Sequence, residues 1–173
     1  MISNQLKKPN IILVDDHPIF RKGIKSIITI ENFANVIGEA SNGQEFIELL
    51  TYLKPDLVLM DIEMPVMNGM EATQRALELI PDLKIIAFTM FEDEEYFSKM
   101  IDLGAKGFIL KSSDINEIDK AIKQVMKGEK YYAINHPGKT GHNPFHKNTK
   151  ELSGYRIPIN KRREGNEVAP PWF

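Results

Sequence analysis

Residues 55–70 read PDLVLMDIEMPVMNGM. Leu57-Val58-Leu59-Met60 is a continuous apolar run, closed on one side by Pro55-Asp56 and on the other by Asp61. A short run without polar alternation is the pattern of a strand buried on both faces. The loop beyond it carries Pro65 and Gly69, which are expected to turn the chain and start a helix. Met64, Met67 and Met70 are expected to pack around that loop. Asp61 therefore ends a rigid strand beside an open loop.

Similar runs flank this one at residues 10–14, 34–38, 83–88 and 107–110, with 56–60 in the middle. The segments between them carry apolar residues at helical spacing, as at Phe46, Leu49, Leu50 and Leu53. Strand and helix alternating at this spacing indicate parallel crossovers. The last helix is expected over 114–127, capped by Ser113 or Asp114 and stopped by Gly128. The fold class is α/β, a doubly wound five-stranded parallel sheet with helices on both faces.

Composition sets the outer limits. The 173 residues, 42% hydrophobic and 27% charged, suffice for one folded domain with an appendage. With no cysteine, disulfides, thiol nucleophiles and cysteine-held zinc are excluded. No stretch approaches the run of about 18 apolar residues that spans a bilayer. The first residues lack the apolar block of a signal peptide. A cytoplasmic protein without membrane contact is expected. Charge divides the chain near residue 130: residues 1–130 carry −6 and residues 131–173 carry +4. An acidic body is ill suited to nucleic acid, whose affinity is dominated by phosphate neutralisation. The domains are therefore read as a folded unit over 8–130 and a basic, Pro/Gly-containing irregular tail over 131–173.

In doubly wound sheets ligands bind beyond the carboxyl ends of the strands. Those ends carry Asp15 and Asp16, Asp61, Thr89 and Lys111. Carboxylates drawn to about 4 Å repel by up to about 4 kcal/mol per pair at an effective dielectric of about 20. Such a group calls for a cation, and an all-oxygen donor set open to phosphate suits Mg²⁺. The chain has neither GxxxxGK[ST] nor GxGxxG after the first strand. Next to a metal, a carboxylate can attack phosphorus to form an aspartyl phosphate, and Asp61 is the candidate nucleophile. The Lys111 ammonium and Thr89 hydroxyl are suited to the phosphoryl oxygens. His17, directly before Pro18, is expected to start the first helix rather than to act as a ligand or base.

The strings IILVDDHP (11–18), LVLMDIEMPVMNGMEAT (57–73), IIAFTMF (85–91) and GAKGFILK (104–111) resemble the receiver domain of two-component response regulators, most closely the NarL/FixJ-type subfamily. The resemblance covers about residues 8–130. It implies a flavodoxin-like strand order 2-1-3-4-5 and transfer of a phosphoryl group from a sensor histidine kinase to Asp61. It also implies Mg²⁺ held by Asp16, Asp61 and the main-chain carbonyl of Glu63, with Asp15 assisting. Thr89 and Phe108 would form a switch pair that alters the surface of the fourth helix, fifth strand and fifth helix for partner binding or homodimerisation. Transcriptional regulation follows as the expected process, and self-phosphorylation with self-dephosphorylation as the only enzymatic acts. Ser112 replaces the family's usual proline after Lys111. Glu63 and Phe91 are expected near the path of attacking water.

That subfamily normally carries a helix-turn-helix domain of roughly 60 residues. The 43 residues after position 130 hold five prolines and four glycines and no sustained helical pattern. No complete effector domain, and hence no DNA binding of that kind, is expected. Lys161-Arg162-Arg163 is the basic run through which the tail could touch DNA instead. A second alternative is a Mg²⁺-dependent phosphohydrolase resembling haloacid dehalogenases. Those enzymes need Asp-x-Asp, whereas Asp61 is followed by Ile62-Glu63.

Overall fold

Alternating apolar runs and amphipathic segments become the layers of one α/β sandwich. The computed structural model describes residues 8–90 and 93–133. In it β1 (Asn10–Val14), α1 (Pro18–Glu31), β2 (Asn35–Ala40), α2 (Gly43–Leu49) and β3 (Leu57–Met60) lead into α3 (Gly69–Leu79), β4 (Lys84–Thr89) and α4 (Glu94–Asp102). The described chain closes with β5 (Gly107–Leu110), α5 (Ile115–Met126) and β6 (Tyr131–Tyr132). Every strand pair is parallel, in the order β2-β1-β3-β4-β5-β6. The doubly wound reading and its 2-1-3-4-5 order are found as expected. The sixth strand is an addition that pairs Tyr131 with Gly107 and Tyr132 with Phe108. Two residues carry no periodicity, so the sequence pattern could not announce it.

Side chains of successive strand residues point to opposite faces of the sheet. Ile11, Leu13, Leu57, Leu59, Ile86 and Phe88 accordingly meet buried residues of α1 and α5. Ile12, Val14, Val58, Met60 and Ile85 meet α2 and α3 on the other face. Ala87 and Phe108 join Met100 of α4 in a third cluster. Asn42, Asn68, Asp93 and Asp114 each cap a helix by accepting a backbone N–H two or three residues on. Asp114, rather than Ser113, is thus the cap of α5, and Gly128 follows at φ 87°.

Several boundaries differ from the sequence reading: β3 starts at Leu57 rather than at 56, and β4 covers Lys84–Thr89 rather than 83–88. β2 continues to Ala40 because a register shift in its pairing with β1 lets Val14 reach Ala40. α2 stops at Leu49, yet Leu50 and Leu53 still pack on the same core cluster. No cis peptide bond occurs among the described residues. No helix among them is long and apolar enough to cross a membrane.

Gly69 fastens the loop after β3. Its N–H donates to the Ile62 carbonyl at 2.7 Å, and a Cβ at this position would lie 1.9 Å from the Asp61 carbonyl oxygen. Gly69→Ala is expected to cost about 1–3 kcal/mol through this overlap. Urea unfolding would measure it, and a loss below about 0.5 kcal/mol would show that the loop yields freely.

Candidate functional site

Backbone hydrogen bonds carry the sheet's regularity past the strand ends. The Asp15 N–H donates to the Ala40 carbonyl at 3.0 Å, Asp61 N–H to Val14 at 2.8 Å and Lys111 N–H to Thr89 at 2.8 Å. The strand ends are thereby tied to one another before any side chain is considered. The residues marked from sequence consequently converge on one edge of the sheet.

Lys111 is the hub. Its ammonium lies 2.6 Å from Asp61 Oδ2 and 2.7 Å from Asp15 Oδ2, and the side chain is 2% exposed. The Asp61 contact is a hydrogen bond, whereas the Asp15 contact is ionic without hydrogen-bond alignment. The same ammonium sits 4.9 Å above the Phe20 ring, an attractive placement for a cation. Asp61 Oδ1 accepts the Ile62 N–H at 2.8 Å. Burial holds the Asp61 carboxyl above the ordinary carboxylate range. The Lys111 hydrogen bond and charge pull the other way, and the Asp15 charge adds to the rise.

Asp15 and Asp16 follow β1. Asp15 is buried and Asp16 partly so. Asp15 Oδ1 accepts the His17 N–H at 2.8 Å, which turns the chain into α1. His17 is the N-cap of that helix, as expected, but its side chain makes no cap hydrogen bond. Its Nδ1 instead lies 2.8 Å from Asp16 Oδ1 and 3.5 Å from Asp15 Oδ1. Arg21 donates to the Asp15 carbonyl and, at 3.3 Å, to Glu39. The sequence reading did not include Phe20 or Arg21 in the site. Their only signal was position: three and four residues after His17, they share its face of α1.

An open cleft of about 630 Å³ lies over this edge, lined by Asp16, His17, Asp61, Glu63, Met90 and Lys111 among others. Glu63 reaches across to α4, where the Tyr96 hydroxyl donates to its carboxylate. Thr89 is fully buried. It lies two residues beyond Ala87, the register partner of Phe108, so Thr89 and Phe108 share a face of the sheet. The Phe108 ring is turned inward, 1% exposed, and stacks edge-on against Phe97 of α4 at 5.3 Å. Phe97 in turn meets Tyr132 of β6 at 5.4 Å. A ladder of rings thus runs from the proposed switch residue to the sixth strand.

The donor set fits a hard cation. One ligand atom each from Asp15, Asp16, His17 and Asp61 can be chosen with all four within 4.8 Å of one another. Asp15 Oδ2 and Asp16 Oδ1 are buried and accept no hydrogen bond, and only the former faces the Lys111 ammonium. A buried carboxylate oxygen without such a partner is costly unless a cation faces it. Phe91 and all of the expected tail beyond Ala133, including Lys161-Arg162-Arg163, lie outside the described residues.

Comparison with known proteins gives the same picture. Residues 11–123 match the family described as the response regulator receiver domain. The transcriptional regulatory protein DegU of Brevibacillus brevis is 37% identical over 162 residues, covering 93% of this chain and 64% of DegU. A LuxR-family two-component response regulator from Aurantimonas superimposes with a TM-score of 0.69 at 34% identity, covering 72% of this chain and 89% of that one. The isolated receiver domain of RcsB from Salmonella enterica serovar Typhimurium, solved with the phosphomimetic BeF3⁻, gives a TM-score of 0.67 at 29% identity. That match covers 73% of this chain and 94% of the RcsB domain. The chain spans 55–64% of the length of the curated relatives it matches.

Proposed function

This chain belongs to the response regulator receiver domain family, and from that premise we propose that Asp61 accepts a phosphoryl group from a sensor histidine kinase. The observation that carries the proposal is the buried Asp61–Lys111–Asp15 ion pair network at the floor of an open acidic cleft. An Asp61 carboxylate oxygen forms the P–O bond while the P–N bond of the donor's phosphohistidine breaks, and the leaving imidazole takes up a proton. Lys111, already within ionic reach of Asp61, balances charge on the phosphoryl oxygens. Thr89, at the neighbouring strand end, donates its hydroxyl to the product. Asp15, Asp16, Asp61 and the Glu63 main-chain carbonyl would hold Mg²⁺, which would neutralise the acids and supply positive charge to the phosphoryl group.

The phosphoryl group brings roughly −1.5 to −2 charge in place of the carboxylate's single charge, with three acceptor oxygens at one point. Thr89 is drawn to it, and the Phe108 ring and its stack on Phe97 carry the change to the α4-β5-α5 surface. That surface serves partner binding or homodimerisation, and the process is transcriptional regulation, as the name of the DegU relative supports. The presence of a phosphomimetic with the RcsB receiver supports the phosphoryl reading. The protein acts as a phosphoacceptor switch in the cytoplasm, and residues 8–130 form its receiver.

Acetyl phosphate is the direct test. One acid-stable, base-labile label per chain, dependent on Mg²⁺, is expected. Many turnovers of small phosphomonoesters would make the protein a phosphohydrolase instead, and labelling without a divalent ion would remove the metal from the proposal.

A further inference from the structure

The chain itself covers part of the surface assigned to output. β5 would be an edge in a five-stranded order, but β6 lies along its outer side. The Tyr131 and Ala133 N–H groups donate to the Lys106 and Phe108 carbonyls at 3.0 and 2.9 Å. Gly107 permits this approach, since a Cβ there would stand 3.2 Å from the Tyr131 carbonyl oxygen. The two tyrosines take opposite faces of the sheet. Tyr131 packs on the cluster that includes Ile118 and Ile122 of α5, and its hydroxyl donates to Glu117 at 3.4 Å. Tyr132 packs on the cluster of Met100 and Phe108, edge-on to Phe97 of α4. The hold is slight: two residues pair, and the Tyr132 hydroxyl is buried without a hydrogen-bond partner among the described residues. A buried polar group in that state opposes the closed position and regains water when the strand lifts.

We propose that β6 is a strap on the α4-β5-α5 surface, held through the Phe108–Phe97–Tyr132 ring stack in the unphosphorylated chain and released when Asp61 is phosphorylated. The inference rests on the receiver reading and adds to it a segment of the same chain that occupies the output surface. Thr89, drawn toward the phosphoryl group, leaves space on the face that it shares with Phe108. Phe108 moving into that space withdraws from Phe97, and Tyr132 loses the contact that backs it. Release bares the outer edge of β5 and the side chains of α4 and α5 beneath the two tyrosines. The surface assigned to partner binding is thereby opened by the same event that changes its shape.

Hydrogen exchange at the Tyr131 and Ala133 amides, read by NMR on the full-length protein, tests this. With Mg²⁺ alone, both amides are expected to exchange at least about tenfold more slowly than unprotected amides. Excess acetyl phosphate should speed them by at least about fivefold while the amides of β1 and β3 stay unchanged. Tyr132→Leu keeps the strand pairing but has no ring to stack, so it should take the label normally and exchange fast at both amides with or without acetyl phosphate. Tyr132→Phe keeps the ring and should restore the response. The mass of the same samples separates the two levels of the argument. Labelled protein whose β6 amides exchange no faster, or amides already unprotected before labelling, overturns the strap and leaves the phosphoacceptor standing. A Tyr132→Leu variant that responds like the wild type overturns it too, because the ring stack is its route. Protein that takes no label overturns both readings.

Discussion

Asp61→Asn is expected to abolish labelling by acetyl phosphate completely while raising the stability of the metal-free protein at neutral pH. The first effect is chemical. The amide has no carboxylate oxygen to attack phosphorus, and no other acid at this edge ends a strand so near Lys111 with a hydrogen bond to it. The second follows from charge. Burial raises the Asp61 carboxyl above the ordinary carboxylate range, so its ionised form opposes folding. Below the unfolded value of about 3.9 both states hold the proton, and the group costs nothing. As pH rises through the interval up to the raised folded value, the unfolded chain gives up its proton while the folded state keeps it, and stability is lost until the folded carboxyl ionises as well. The variant has no such proton, so its advantage should be absent in acid and complete at neutral pH. Urea midpoints across pH 3–8 measure this. Residual labelling would move the acceptor elsewhere, and a variant less stable at pH 7 would show that the Lys111 pairing outweighs desolvation.

Lys111→Ala should produce the largest loss of stability. Its ammonium faces Asp15 and Asp61 at 2.7 and 2.6 Å, and nothing of comparable charge replaces it when the side chain is cut. Two buried carboxylates then confront one another, and breaking such a buried network costs about 3–5 kcal/mol. The contact over Phe20 is lost as well. Protonation offers partial relief, so the deficit should narrow as pH falls toward ordinary carboxylate values. Mg²⁺ supplies the missing charge by another route and should recover part of the loss. Denaturant unfolding with and without Mg²⁺ measures both effects. A deficit below about 1 kcal/mol in metal-free buffer would mean that solvent already screens the pair.

The glycine that fastens the loop after β3 and the lysine that faces Asp61 act together. Gly69 sets where the Asp61 backbone lies, and Lys111 sets what its carboxylate faces. A substitution at either alters the Asp61 carboxylate by a different route. This separates two kinds of damage: Gly69→Ala misplaces the acid, whereas Lys111→Ala leaves it in place but exposed to its neighbour's charge.

Most of the site was legible because it is built from strand ends. An apolar run of fixed length places its last residue at the sheet's edge, so Asp15, Asp61, Thr89 and Lys111 could be assigned from where the runs stop. The strand order required the family resemblance, since periodicity does not say which strands are neighbours. β6 escaped because two residues have no period, and the positions of β2 and α2 shifted because a bulge and an early helix end leave no compositional mark. Directions of side chains escaped for a different reason. His17 was legible as a helix start, and it is one, but the placement of its ring against Asp16 and Asp15 is set only in the folded chain.

The amino-acid sequence by itself determined the fold class, the edge of the sheet that carries the chemistry and the acids gathered there, because those depend on local periodicity and on run length. Tertiary structure alone decided that Lys111 bridges Asp15 and Asp61, that Phe20 lies beneath the ammonium, that Tyr96 ties Glu63 to α4 and that His17 turns toward the acids. Each of these is a meeting between elements, set by crossover geometry and packing, and the charges and ring contacts they create act only at distances that the folded chain establishes.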